Sequence, residues 1–109
     1  MNGLIAVASV ADIPAGTVRG FTIEGRRIAV FHTSSGFFAT DGICPNRGGP
    51  LSEGDLVRDS VTCPWHAWTF DLRTGQSDVD PDKIVATHEV LVRDGTVMIR
   101  LSAAKDEGR

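Results

Sequence analysis

Turn-forming residues recur so closely along this 109-residue chain that only short strands fit between them. Glu24-Gly25 separates β-rich runs at 17–23 and 26–32, and Asp94-Gly95 separates runs at 84–93 and 96–101. An Asp-Gly pair between such runs is the strongest local signal for a hairpin. Ser34-Ser35 precedes a further strand at 36–40 with Phe37 and Phe38, and short strands fit 55–58, 60–62 and 69–71. No segment sustains an apolar stripe of period 3.6, so helix is confined to a single turn near 11–14. The pattern predicts an all-β fold with no internal repeat.

The length allows one domain with a sizeable core, placed at 1–101, followed by a flexible polar tail at 102–109. A net charge of −3 argues against a nucleic-acid partner, which would require a clustered basic face. Between Glu53 and Asp82 seven acids (Glu53, Asp55, Asp59, Asp71, Asp78, Asp80 and Asp82) face only Arg58 and Arg73. Such a stretch is first of all a solvated face. It also suits docking by a basic partner, because complementary charge speeds encounter. The run Leu4-Ile5-Ala6-Val7-Ala8 is short and no basic residue precedes it, so it makes a poor signal peptide. No stretch approaches the length of a membrane span. A soluble cytoplasmic protein is expected, in which thiols stay reduced and available to metal.

The chain's two cysteines lie in two boxes between the strands. Gly42 to Gly54 holds four glycines, two prolines and Cys44, within Cys44-Pro45-Asn46-Arg47. After sixteen residues beyond Asn46 comes Cys63-Pro64-Trp65-His66. A disulfide between Cys44 and Cys63 is possible in principle, but the Pro and Gly surroundings suit metal-binding loops better. A thiolate is a strong soft ligand, and Cys-x2-His brings two donors from one tight turn to one place. Trp65, Trp68 and Phe70 bracket His66, either as plain core packing or as a barrier to water. Loops held on a rigid scaffold are where sites usually lie.

The two segments Cys44-Pro45-Asn46-Arg47-Gly48-Gly49-Pro50-Leu51-Ser52-Glu53-Gly54 and Cys63-Pro64-Trp65-His66-Ala67-Trp68-Thr69-Phe70-Asp71 resemble the signature boxes of Rieske-type ferredoxins. These are small soluble electron carriers, akin to the Rieske domains of ring-hydroxylating oxygenases. The resemblance runs from the strand near Leu4 to Leu101. It implies three small antiparallel sheets, with two cluster-binding loops at one end and a [2Fe–2S] cluster between them. Cys44 and Cys63 would bind one iron and His66 the other through Nδ1; position 46 should supply a second imidazole. This chain has Asn46 there. The asparagine Oδ1 occupies the place on Cγ that Nδ1 has in histidine, so it can face iron as a neutral but weaker donor. The N–H groups of Gly48 and Gly49 would point at sulfide, raising the potential.

The implied role is passage of single electrons from a flavin-dependent ferredoxin reductase to a terminal oxygenase-type acceptor, by a monomer that catalyses nothing alone. High-potential respiratory relatives carry an extra cysteine in each box and Ser and Tyr hydroxyls. This chain has Gly49 and Trp65, and Trp68 and Phe70, at those places. Fewer hydroxyl donors favour the low part of the roughly −150 to +300 mV Rieske range. Two other readings compete. One is a cluster-deficient structural or binding subunit, like the small subunit of assimilatory nitrite reductase. The other is a single zinc or iron held by Cys44, Cys63 and His66. His32 and His88 lack the loop position of a ligand and are expected to be hydrogen-bonded structural residues.

Overall fold

In the computed structural model, which describes residues 3–44, 49–65, 68–80 and 82–102, the turn signals do become hairpins. Glu24 and Gly25 both take positive φ (53° and 79°), as do Asp94 and Gly95 (54° and 75°). A two-residue turn with both φ positive matches the right-handed twist of its flanking strands. The first turn joins β2 (Val18–Ile23) to β3 (Arg26–Thr33), and the second joins β8 (Thr87–Arg93) to β9 (Thr96–Arg100). The other strands are β1 (Leu4–Ser9), β4 (Gly36–Asp41), β5 (Asp55–Val57), β6 (Ser60–Thr62) and β7 (Thr69–Asp71). The single turn expected near 11–14 is a 3-10 turn at Val10–Asp12, and a second one, at Leu51–Glu53, has no counterpart in the sequence reading.

The strands form a six-stranded antiparallel sheet, in the order β1-β9-β8-β4-β3-β2, and a three-stranded sheet β5-β6-β7. The larger sheet has a seam: β4 and β8 share only the pairs Ala39–His88 and Thr40–Thr87. On either side of that seam lie β1-β9-β8 and β4-β3-β2. The three expected sheets are therefore present, two of them joined edge to edge. The strand expected from residue 84 begins only at Thr87. Ile84 instead bridges Gln76, and the Val85 amide donates to the Gly75 carbonyl, so these residues belong to a separate wrap around the small sheet.

Four consecutive residues of β3, Ile28 to Phe31, are buried. Strand periodicity sends alternate side chains to opposite faces. Ile28 and Val30 join Ile13, Ile23, Ala39, Val97 and Ile99 within the curl of the large sheet. Ala29 and Phe31 enter a second core with Leu51, Val61, Phe70, Leu72 and Val85, and with both cysteines. The small sheet contributes one cross-strand row, Leu56–Val61–Phe70, to that second core. β3 is thus the wall shared by the scaffold and the candidate site.

The seam is reinforced by side chains. The Ser102 amide donates to His88 Nδ1 (3.0 Å), which leaves Nε2–H to donate to Asp41 Oδ1 (2.9 Å). Arg26 reaches both Asp41 Oδ1 (3.4 Å) and the Ser102 carbonyl (2.8 Å). The tail expected from residue 102 thus begins on a hydrogen-bonded Ser102, and beyond it lies outside the described residues. At the opposite end of the small sheet, Asp59 accepts from Ser35 Oγ and from Arg73 (2.9 and 2.8 Å). The Thr33 hydroxyl, the Ser35 hydroxyl and Arg73 hold the Asp59 carboxyl below the usual carboxylate range. Three turns are tied together there, away from the cysteine loops.

Candidate metal centre

Both boxes sit on hairpins and are closed alike. In the first, Ile43 bridges Pro50, the Leu51 amide donates to the Gly42 carbonyl, and the Cys44 amide donates to the Gly49 carbonyl (2.8 Å). In the second, the ladder continues beyond the Thr62–Thr69 pair, with the Cys63 amide donating to the Trp68 carbonyl (2.8 Å). Each cysteine therefore begins a loop whose neck is fixed by its own N–H, donated to the carbonyl five residues on.

The two loops meet. A methyl group built on Gly49 would lie 2.8 Å from Cys63 Sγ, 3.0 Å from Trp65 Cγ and 3.2 Å from Trp65 Cβ. Only the absence of a side chain at 49 lets the first loop's backbone come this near to the sulfur of the second. Cys44 and Cys63 are both buried, share one core and are not joined by a disulfide. A pair of buried thiols at the necks of facing loops, one of them against bare backbone, fits a thiolate-held iron–sulfur group.

Asn46 and His66, the other two expected ligands, lie outside the described residues, as does Gly48. The expected structural roles of His32 and His88 hold. His32 donates from Nδ1 to the Ile13 carbonyl (2.7 Å) and packs on Phe37, while His88 has both ring nitrogens hydrogen-bonded at the seam. Among the described residues no group of three or more His, Cys, Asp or Glu is placed to hold a metal ion. Neither histidine joins Cys44 and Cys63 in such a group among the described residues.

The aromatic bracket divides. Phe70 is fully buried and Trp68 packs against the same core, with the two ring centroids 6.5 Å apart. Trp65 is 63% exposed, so it is neither core packing nor a seal against water. Sequence reasoning gave Trp65 the wrong environment because spacing alone does not show which side of a turn faces solvent. Among the described residues no helix is long and apolar enough to cross a membrane.

Comparison with known proteins agrees with this geometry. The family model described as "Rieske [2Fe-2S] domain" matches residues 3–90. The ferredoxin component of a naphthalene 1,2-dioxygenase system from Pseudomonas aeruginosa is 32% identical over 99 residues, covering 90% of this chain and 95% of the relative. The ferredoxin subunit of a 3-phenylpropionate/cinnamic acid dioxygenase from Photorhabdus laumondii is 37% identical over 101 residues, covering 88% and 92%. Among solved structures, a complex of reduced oxygenase and oxidized ferredoxin in carbazole 1,9a-dioxygenase contains a chain that matches with a TM-score of 0.83. That chain is 29% identical, and the match covers 92% of this chain and 94% of that one.

Proposed function

The chain belongs to the Rieske [2Fe-2S] domain family, and on that footing we propose that Cys44, Asn46, Cys63 and His66 together hold its [2Fe–2S] cluster. It is a ferredoxin-type electron carrier, not a catalyst in its own right. The observation that supports the ligand set best is the meeting of the loops at Gly49 and Cys63 Sγ.

When bound, the cluster takes up and gives back one electron at a time. Cys44 and Cys63 would hold one iron as thiolates, from necks already fixed by their own amides. His66 would hold the other iron through Nδ1, and the Asn46 side-chain oxygen would complete the set. An amide oxygen is a poorer donor than imidazole nitrogen, so the fourth position is the weak one. Trp68 and Phe70, packed in the core behind Cys63, exclude water but offer no hydroxyl to the sulfurs. The potential accordingly falls in the low part of the family range. A flavin-dependent ferredoxin reductase as donor and an oxygenase-type enzyme as acceptor suit a carrier of that potential. A monomer in the cytoplasm, where thiols stay reduced, suits it too.

The substitution Asn46→His tests the ligand set. It is expected to slow loss of iron to a chelator by about tenfold or more, since even changes behind a ligand shift metal affinity by about 10–100-fold. Stopped-flow loss of visible absorbance measures this. An unchanged rate would show that position 46 is not the weak point.

A further inference from the structure

Trp65 is exposed although tryptophan is among the most buried residues on average, and its base is not loose. Its Cβ and Cγ pack on Gly49, beside Cys63 Sγ, so the ring is presented outward from a fixed root. The exposed Pro64 precedes it. Ile43, itself 38% exposed, bridges Pro50, the residue that follows Gly49. A held aromatic ring with its face in solvent is the chemistry of an interface hot spot.

The row of the small sheet that abuts this loop has an unusual make-up. Asp55 pairs with Thr62, Thr62 pairs with Thr69, and the Thr69 amide donates to Asp78 Oδ1 (3.1 Å). The two threonine hydroxyls bond each other (3.0 Å), which leaves exposed carboxylates at the two ends of the row. Asp55 and Asp78 form no ion pair among the described residues. Of the acids between 53 and 82, Asp55 and Asp78 thus lie in space at the ends of the row next to the Cys63 loop, while Asp59 and Asp71 lie at the far end of the small sheet.

From this placement we infer that Trp65 is the anchor of a docking surface, with Asp55 and Asp78 as its charged rim. The partner it fits is an electron-transfer protein whose apolar socket is ringed by lysine or arginine. This rests on the electron-carrier reading above and adds to it the chemistry of the partner. The rim raises the rate of encounter, and the ring holds the complex once formed, beside a cluster-binding sulfur.

The probe is ferricytochrome c, a basic haem protein whose lysines ring an exposed haem edge. It is mixed with the dithionite-reduced protein and takes one electron. Trp65→Ala is expected to lower the second-order rate constant about tenfold or more at both low and high salt. Oxidation by hexacyanoferrate(III), which requires no socket, stays unchanged, and Trp65→Phe retains most of the wild-type rate. The double variant Asp55→Asn, Asp78→Asn is expected to be about tenfold slower at low salt and to converge on wild type at high salt, where exposed charges are screened. A Trp65→Ala rate equal to wild type with cytochrome c overturns the anchor; an unaltered salt dependence in the double variant overturns the rim. Iron and sulfide are measured first in each preparation. Wild-type protein without either would remove the carrier reading itself, and this surface's role with it, a result distinct from a failed docking variant.

Discussion

Gly49→Ala is expected to lower cluster affinity about ten- to hundredfold while leaving the apoprotein folded. The added methyl would lie 2.8 Å from Cys63 Sγ and 3.0 Å from Trp65 Cγ. Trp65 Cγ and Cβ, at 3.0 and 3.2 Å, have to give way by only a few tenths of an ångström. In the apoprotein the Cys63 side chain can rotate as well, so stability changes little. Once Cys63 is an iron ligand its sulfur has one permitted position, and the methyl then opposes binding directly. The magnitude is that of changes just behind a metal ligand. Iron and sulfide per chain measure the loss, and circular dichroism checks the fold. Cluster content equal to wild type would mean that Cys63 Sγ does not have to stay where the structure places it.

The second large effect is on stability. Gly75 is buried, takes φ +81°, donates its amide to the Asp71 carbonyl and accepts from Val85. A Cβ there would lie 2.0 Å from the Val85 carbonyl oxygen. The backbone conformation alone costs a non-glycine residue about 1–2 kcal/mol. Because the Val85 backbone must also shift, Gly75→Ala is expected to destabilise by about 3 kcal/mol or more. That is a large part of the roughly 5–15 kcal/mol of an ordinary domain. Urea denaturation of the apoprotein gives the difference. A loss below about 1 kcal/mol would show that the wrap from 72 to 86 yields readily.

Much of this fold was legible because its signals are local. Glu24-Gly25 and Asp94-Gly95 demand positive φ, and a two-residue turn then sets the register of both flanking strands. The strands at Ser60–Thr62 and Thr69–Asp71 match expectation to the residue, because turns bound them tightly on both sides. The start of β8 was not legible, since Ile84 and Val85 are as β-prone as the residues that follow. They bond instead to a glycine and a glutamine earlier in the chain, a choice made by tertiary contact. The seam between β4 and β8, closed by His88 and Asp41, is likewise a long-range fact, its partners standing 47 positions apart in the chain.

At the site, residue type and spacing marked Cys44 and Cys63, and the structure gives them a common core. The role of Gly49 was only half visible. Its lack of a side chain was read as freeing an N–H for sulfide, whereas the structure shows it making room for the sulfur of the other loop. The acidic stretch could be counted in sequence, but only the register of β5, β6 and β7 places Asp55 and Asp78 at the ends of one row. The exposure of Trp65 had no local signal at all.

The most direct test is to reconstitute the protein anaerobically with iron and sulfide, desalt it, and assay both elements together with the visible spectrum before and after dithionite. A coloured protein with iron and acid-labile sulfide in equal amounts, bleached by reduction and restored by oxidation, is the predicted result. A colourless, folded protein without sulfide would contradict the account.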